Sequence, residues 1–279
     1  MKQILPLVLA LTTTACSVDS EETIPPTNDD MQVVVISFDT YSMEPITRSG
    51  IADVSNRLDV YIVSENDVQA IHQNKAEDPD TFGSISLSLN KTKTYTLYAV
   101  SHKGSGPASL EGDEFTFADN KITETFYYTT TFSPASTQSL NCQMSRIVGM
   151  FKLIVQDALP SNLAKVRFSV DNTGLAYHTA GYYTNAGEKV SVINSPSSAN
   201  DGTTTFKIYC LADQEASFID VTVTALDAED NVIEEKSFAD VPIQAGYITT
   251  FKGTFFVTTG MSFSFQSSGD WTDYDEITF

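Results

Sequence analysis

Strict alternation of apolar and polar side chains is the feature of this sequence that most constrains its fold. At residues 83–89, Ile85, Leu87 and Leu89 alternate with three serines. Because successive side chains of a β-strand point to opposite faces, such a segment buries one face and exposes the other. Helical periodicity covers barely two turns, at residues 67–73, where a short helix is conceivable. The pattern therefore predicts an all-β fold.

The same alternation recurs along nearly the whole chain. It predicts strands at residues 33–38, 58–63, 95–101, 122–130, 147–155, 164–170, 204–211, 219–225, 232–238, 247–257 and 261–265. Gly, Asn, Asp and Pro bound these segments, and residues 200–202 and 227–231 have the composition of turns. Strand segments at this density are typical of antiparallel β-sandwiches.

The chain is long enough for two such sandwiches in tandem. Removal of a 15-residue leader from its 279 residues leaves 264, which suits one large domain or two ordinary ones. The segment 133–137, which contains proline and serine, is the best internal boundary. We therefore expect an N-terminal sandwich at 32–137 and a C-terminal sandwich at 138–279, which ends in a terminal strand and an aromatic, acidic tail.

The N-terminus has the features of an exported lipoprotein. A basic start, an eight-residue apolar run and Ala15 just before Cys16 describe a secretory signal at residues 1–15. The apolar run is too short to span a bilayer, which takes about 20 residues. The Ala15-Cys16 junction resembles a bacterial lipobox, although Thr13 stands where an aliphatic residue is usual. We expect Cys16 to carry a lipid; the alternative is an ordinary signal cut near Ala15.

Composition excludes several classes of function. A hydrophobic content of 41%, with 17 Phe and 12 Tyr, supports real cores rather than global disorder. The formal net charge of -20 argues against nucleic acid, whose phosphates need a basic surface, and against docking on anionic lipid. Residues 16–31 are acidic, contain proline and lack apolar periodicity, so we expect a flexible stalk there.

Two cysteines follow the leader, and both lie on the apolar side of alternating segments. Cys142 alternates with Leu140 and Met144, and Cys210 alternates with Ile208. We therefore expect both thiols to face the same core. An exported chain can oxidise them to a disulfide, which requires Cα atoms within about 7 Å. Two buried free thiols are the equal alternative.

No catalytic, cofactor or metal site is predicted. The histidines His72, His102 and His178 are scattered and lack metal-ligand spacing. Residues 104–106 lack the spacing of a nucleophile elbow, and no phosphate-binding glycine motif occurs. The acids of residues 270–276 lack a calcium-loop pattern and are interpreted as a solvated tail. We therefore expect that the chain is not an enzyme.

Several strand-like stretches, taken in order, resemble one known family. They are residues 57–63 (RLDVYIV), 94–102 (TYTLYAVSH), 115–117 (FTF), 122–128 (ITETFYY), 146–151 (RIVGMF), 221–227 (VTVTALD) and 248–256 (ITTFKGTFF). Their order resembles the fimbrial subunits of type V pili, specifically the FimB-like anchor and accessory branch. The resemblance implies two transthyretin-like, Greek-key β-sandwich domains in a lipoprotein of the outer membrane surface. It also implies adhesion and assembly with other fimbrial subunits.

Assembly of this kind uses β-augmentation, in which an extended segment of a partner fills the open edge of a sandwich. The resemblance implies that an arginine-specific protease removes the first strand of stalk subunits, whereas anchor members keep it. Here residues 33–38 are the first predicted strand, and Arg48 follows in a loop. Arg48 is therefore the candidate processing site; the alternative is an exposed loop arginine that is never cut.

A second class of function is a surface module that binds glycans through exposed aromatic residues. The candidates are Trp271, Tyr182, Tyr183 and Tyr127, although aromatic residues of sandwiches usually lie in the core. A hydrolase is disfavoured, because nothing in the sequence selects a pair of catalytic carboxylates.

Mass spectrometry of the native N-terminus tests the membrane anchor. We expect lipidated Cys16 as the first residue, because the secretory signal of residues 1–15 ends immediately before it. An unmodified N-terminus near Ala15 would contradict the lipid anchor. Ser49 as the first residue would instead identify a subunit that is processed after Arg48.

Overall fold

Almost all of the regular structure in this chain is β-strand, which confirms the all-β prediction. The computed structural model describes residues 28–40, 49–65, 67–184, 187–199, 202–256 and 263–269. Its helical elements are α1 (Ile51–Val54) and two short 3₁₀ turns, at Asn28–Asp30 and Ala118–Asn120. Within these ranges no helix is long and apolar enough to cross a membrane.

The strands follow one another with short connections. The first ten are β1 (Met31–Thr40), β2 (Ser49–Gly50), β3 (Arg57–Ser64), β4 (Asp67–Asn74), β5 (Ser84–Asn90), β6 (Tyr95–His102), β7 (Ser109–Glu111), β8 (Glu114–Thr116), β9 (Thr125–Phe132) and β10 (Ser139–Arg146). The second ten are β11 (Val148–Val155), β12 (Lys165–Thr173), β13 (Ala176–His178), β14 (Tyr182–Thr184), β15 (Gly187–Asn194), β16 (Thr204–Leu211), β17 (Ser217–Leu226), β18 (Val232–Ile243), β19 (Tyr247–Gly253) and β20 (Phe263–Gly269).

The N-terminal sandwich packs two sheets around one apolar core. One sheet has the order β5-β1-β10, in which β1 is parallel to β10 and β2 pairs with the end of β1. The facing sheet has the antiparallel order β9-β6-β3-β4, and the end of β10 joins the two sheets into one continuous sheet through its pairing with β9 at Ser145 and Arg146. The core between them includes Ile36, Leu58, Leu97 and Phe126.

The C-terminal sandwich repeats this arrangement. Its sheets have the orders β16-β11-β19-β20 and β15-β12-β17-β18, and β11 is parallel to β19. Phe151, Phe168 and Val221 lie in its core. Strands β1, β3, β4, β5, β6, β9 and β10 therefore correspond in order to β11, β12, β15, β16, β17, β18 and β19. The chain thus contains one seven-stranded topology twice.

Two expectations about local structure were wrong. The short helix conceived at residues 67–73 is strand β4, which pairs with β3 from Ser64↔Asp67 to Arg57↔Asn74. Cross-strand hydrogen bonds outweigh a helical periodicity of only two turns, because in an antiparallel pair every second residue of each strand exchanges backbone hydrogen bonds with the other strand. Strand β10, which begins just beyond the boundary expected at residue 137, belongs to the N-terminal sandwich through its pairing with β1.

The two cysteines lie in different cores, so the expectation of a shared core was wrong. Cys142 is in β10 and contributes to the N-terminal core, whereas Cys210 is in β16 and contributes to the C-terminal core. Both are free thiols and buried. The two alternatives for Cys142 and Cys210 were a disulfide and a pair of buried free thiols, and the structure contains the free thiols. Burial raises the pKa of Cys142 to about 12, so this thiol is protonated at neutral pH.

A buried lysine, Lys189, lies close to Cys210 in the C-terminal sandwich. Lys189 is 3% exposed, and its Nζ donates a hydrogen bond to the carbonyl of Tyr209. Burial lowers the pKa of Lys189 below its usual 10.5, and burial also raises the pKa of Cys210. The lysine side chain is therefore easier to deprotonate in the folded protein than in the unfolded chain.

Replacement of Lys189 by Met should stabilise the protein increasingly as the pH falls. Between the lowered folded pKa and 10.5, the unfolded chain binds a proton at Lys189 that the folded protein does not. The contribution of Lys189 to stability should therefore decrease on acidification by about 1.4 kcal/mol per pH unit within that window, and the difference between wild type and Lys189→Met reports it. Urea unfolding of both proteins between about pH 7 and pH 10 measures the difference. A difference in unfolding free energy that does not change with pH would contradict this assignment.

Candidate functional site

The two sandwiches meet at a single linker residue, Ile147. Its N–H donates to the Thr125 carbonyl in the N-terminal sandwich at 3.0 Å. Its carbonyl accepts from the Ala212 N–H in the C-terminal sandwich, also at 3.0 Å. The side chain is 2% exposed and belongs to a third apolar cluster. Because its backbone bonds to both sandwiches, this residue holds the connection in a fixed direction.

Two short hairpins, one from each half of the chain, pair across this junction. Hairpin β7–β8 and hairpin β13–β14 form one four-stranded sheet in the order β14-β13-β8-β7, which we name the composite sheet. Glu114↔His178 and Phe115↔Tyr177 are the pairs that join the halves. Gly112, with φ 61°, begins the turn of the first hairpin, where a side chain would be strained.

The inner face of the composite sheet packs on the N-terminal sandwich through aromatic rings. The ring of Tyr127 in β9 lies 5.1 Å from that of Tyr177 and 6.0 Å from that of Phe115, both edge-on. The Tyr127 hydroxyl donates to the Thr179 carbonyl at 2.5 Å. Burial raises the pKa of Tyr127 to about 12, so the hydroxyl remains a donor at neutral pH. These contacts tie the second hairpin to the first sandwich.

A buried carboxylate, Asp59 in β3, organises the segment that leads into the composite sheet. Its oxygens lie 2.7 Å from Nδ1 of His72 and 3.0 Å from Nε2 of His102, and the Ala108 N–H donates to it at 2.8 Å. The Gly104 N–H donates to Nδ1 of His102, so Nε2 carries the proton that this ring donates to Asp59. Both oxygens of the buried Asp59 carboxylate have protein partners, which is the arrangement of a structural network.

The interpretation of the histidines as scattered was therefore wrong for two of them. His72 and His102 lie on the strands that flank β3, each directly or nearly opposite Asp59. If residues 67–74 had been predicted as the second strand of a hairpin with residues 57–64, the register of that hairpin would have placed His72 opposite Asp59. No group of His, Cys, Asp or Glu suited to a metal ion occurs in the described part of the chain.

An ion-pair cluster lies next to the linker. The Glu124 carboxylate accepts hydrogen bonds from Lys103 and Arg146, both at 2.8 Å. Burial acts to raise the pKa of Glu124, but the hydrogen bonds from the two cations lower it overall. The Arg146 guanidinium also lies over the Phe126 ring, 4.9 Å from its centroid. This cluster fixes the end of β10 immediately before Ile147.

The two sandwiches differ at one sheet edge. In the C-terminal sandwich, β20 pairs antiparallel with β19 along Tyr247–Gly253. In the N-terminal sandwich, the corresponding strand β10 pairs with β1 over residues 139–144 and with β9 only at Ser145 and Arg146. Among the described residues, the far edge of 139–144 therefore has no strand beside it. We name this stretch the β10 edge.

The candidate glycan-binding aromatics have different environments. Tyr182 is 46% exposed, Tyr183 packs against the third apolar cluster and Tyr127 is buried. The Tyr182 ring stacks on the ring of His178, with centroids 4.6 Å apart and planes 9° from parallel. Trp271 lies outside the described residues. The lipidation site Cys16, the processing site Arg48 and the acidic tail at 270–276 also lie outside them, so these remain predictions.

The duplicated topology and the composite sheet define a tandem β-sandwich protein. Residues 109–275, more than half of the chain, match the family of unknown function DUF6562. The chain therefore belongs to this family. A comparison with curated protein sequences finds no match.

Solved structures share the fold at low sequence identity. A candidate adhesin from Bacteroides ovatus aligns at 12% identity over 84% of this chain and 96% of its own, with a TM-score of 0.54. A candidate polysaccharide-binding protein from Bacteroides thetaiotaomicron aligns at 9% identity over 80% and 92%, with a TM-score of 0.53. The fimbrial anchor Mfa2 from Porphyromonas gingivalis aligns at 14% over 86% and 98%, with a TM-score of 0.47. The first two alignments establish a shared fold, and the last is too distant to carry a conclusion.

Substitution of Asp59 by Asn should destabilise the junction. The amide lacks the negative charge that strengthens the hydrogen bonds from His102 and Ala108, and its N–H₂ group must either face those two donors or take Nδ1 of His72 as an acceptor. We expect a loss of roughly 3 kcal/mol in the free energy of unfolding, measured by urea denaturation. The control is Asp171→Asn at an exposed position, with an expected change within about 0.5 kcal/mol. Equal stability of the two variants would contradict the structural role of Asp59.

Proposed function

We propose that this protein is a structural subunit of a surface fimbria, an anchor or accessory subunit that joins other subunits by β-strand complementation. The sequence resemblance to fimbrial anchor subunits supports this role. The tandem-sandwich fold, which candidate adhesins share, is compatible with it. The single observation that carries the proposal is the difference between the two sandwiches at β10 and β19.

The β10 edge has the properties of an acceptor. The Val35 N–H donates to the Gln138 carbonyl at 3.0 Å, so the backbone groups of alternate residues, starting at 138, face β1. The backbone groups of Ser139, Asn141 and Gln143 consequently face the open side. Unpaired N–H and C=O groups along an edge form a template for a strand from another chain.

The distribution of charge also favours the β10 edge as the site of contact with another subunit. Residues 139–144 carry no group that is charged at neutral pH, in a chain of net charge -20. Subunits of similar acidity repel each other over most of their surfaces, and the repulsion is weakest where the contacting segment is neutral. A partner strand can therefore approach here at a low electrostatic cost.

The C-terminal sandwich illustrates the paired state. Strand β20 continues the β16-β11-β19 sheet and matches β19 residue for residue, from Tyr247↔Gly269 to Gly253↔Phe263. The same relationship, made by a segment of a partner subunit, would complete the sheet of the N-terminal sandwich. In this proposal β1 stays in place, as anchor subunits require, and cleavage after Arg48 is not needed for assembly.

Attachment to the cell completes the proposal. A lipid on Cys16 would hold the chain at the outer membrane, and residues 16–31 would serve as the stalk. The buried polar centre at Asp59 and the ion pairs of Glu124 have structural partners, so we propose no enzymatic role.

Blocking the β10 edge should prevent assembly without unfolding the protein. Gln143→Pro removes one N–H that faces the open side, and an edge strand tolerates proline where its N–H is unpaired. The mature full-length chain is incubated alone and with candidate pilin subunits, and SDS-resistant ladders are followed by electrophoresis without boiling. We expect ladders for wild type and for the control Gln143→Ala, and their loss for Gln143→Pro.

The proposal fails if wild-type protein stays monomeric with every candidate pilin. It also fails if Gln143→Pro, shown to be folded by its circular dichroism spectrum and thermal transition, forms the same ladders as Gln143→Ala.

A further inference from the structure

We infer that the outer face of the composite sheet is a saccharide-binding surface that accepts neutral or amino sugars, with the ring of Tyr182 as its stacking platform. This inference goes beyond the proposed assembly role and does not depend on it, because the β10 edge and the composite sheet are separate parts of the molecule. It assigns a ligand class to a surface built from both halves of the chain.

The surface is a row of side chains that crosses all four strands. Cross-strand pairs Tyr182↔His178, His178↔Glu114 and Glu114↔Glu111 place these four residues side by side. Since adjacent strands lie about 4.8 Å apart, the row spans about 14 Å. Their neighbours in the strands, Phe115 and Tyr177, point to the opposite, buried face. The row therefore lies on the outer face.

The aromatic end of the row is suited to a sugar ring. Tyr182 is 46% exposed and lies in β14, the edge strand of the composite sheet. One face of its ring is covered by the parallel ring of His178 at 4.6 Å, which holds the ring upright on the sheet. The opposite face is directed beyond the edge. An apolar face with a polar hydroxyl at its end matches the amphipathic surface of a pyranose, which stacks its C–H face on aromatic rings.

Polar groups of the row complement sugar hydroxyls. The Ala180 N–H donates to Nδ1 of His178 at 3.0 Å, so the neutral ring carries its proton on Nε2, which is a hydrogen-bond donor. Glu111 contributes carboxylate oxygens, which accept hydrogen bonds from hydroxyl or ammonium groups. The row thus presents a ring face, a donor and acceptors in one line.

Charge narrows the ligand class. Glu111, Asp113 and Glu114 lie together at the β7–β8 turn, and the chain has a net charge of -20. Sulfated or sialylated saccharides would be repelled, whereas neutral sugars are unaffected and an amino sugar is attracted. The ligand predicted by the structure is therefore a neutral or amino-sugar saccharide.

The surface is held rigid from below. Tyr177 and Phe115, the neighbours of His178 and Glu114, pack on the Tyr127 ring in β9. Backbone pairing of β8 with β13, reinforced by the Thr179 N–H bond to the Asp113 carbonyl at 2.8 Å, fixes the distance between the carboxylates and the stacked rings. A site built on paired strands loses little entropy when it binds.

The test uses the full-length mature protein and three sets of soluble oligosaccharides: neutral hexoses, amino sugars, and sialylated or sulfated hexoses. Binding is measured by saturation-transfer NMR and then by titration calorimetry. We expect binding to the first two sets and not to the third. Tyr182→Ala should weaken binding at least about tenfold, whereas Tyr182→Phe, which keeps the ring, should retain it. The matched control is Tyr247→Ala, a tyrosine 37% exposed in another sheet, with unchanged affinity expected.

The inference is overturned if no set binds, if anionic saccharides bind best, or if Tyr182→Ala and Tyr247→Ala bind as wild type does. The same variants are tested for SDS-resistant ladders. Tyr182→Ala should assemble normally, so a failure of saccharide binding is distinguishable from a failure of the proposed assembly.

Discussion

The parallel pairing of the first strand of each seven-stranded unit with the seventh strand of that unit is the interaction on which the rest of this structure depends. β1 pairs with β10, and β11 pairs with β19. Parallel neighbours cannot be joined by a tight turn, so the strands that build the facing sheet lie between them in sequence. Because β10 and β19 each have the first strand of their unit on one side, the other side of each is an outer edge. That edge is covered by β20 in one sandwich and has no described strand beside it in the other.

The junction turns two similar sandwiches into one unit. A single buried linker residue, Ile147, bonds to both sides, and the composite sheet adds a second connection that is distant from the linker in sequence. The buried carboxylate of Asp59 holds the segment that carries the first hairpin, and Tyr127 holds the second. In the proposed role such a stiff unit would transmit force along a fibre, and it supports a surface whose residues come from both halves. The proposed acceptor edge and the proposed saccharide surface therefore share no residues.

The strands could be predicted from the sequence because their signal is local. Alternation at 166, 168 and 170 and at 219, 221 and 223 corresponds to buried positions in β12 and β17. The junction could not be predicted, because Phe115 and Tyr177 pair across a long separation and neither hairpin exceeds three residues per strand. The same reason explains the errors at Cys142 and at the histidines. The alternation of apolar residues predicts which side chains of a strand are buried. Only the order of the strands in the sheets determines which core those side chains enter and which residues lie beside them.

Hydrogen–deuterium exchange at the β10 edge tests the central claim most directly. In the isolated chain, the amides of Ser139, Asn141 and Gln143 should exchange quickly, whereas those of Leu140 and Cys142, which face β1, should be protected. In SDS-resistant assemblies, the same three amides should become protected to a similar degree as their neighbours. Unchanged fast exchange of these three amides in the assembled state would contradict strand complementation at this edge.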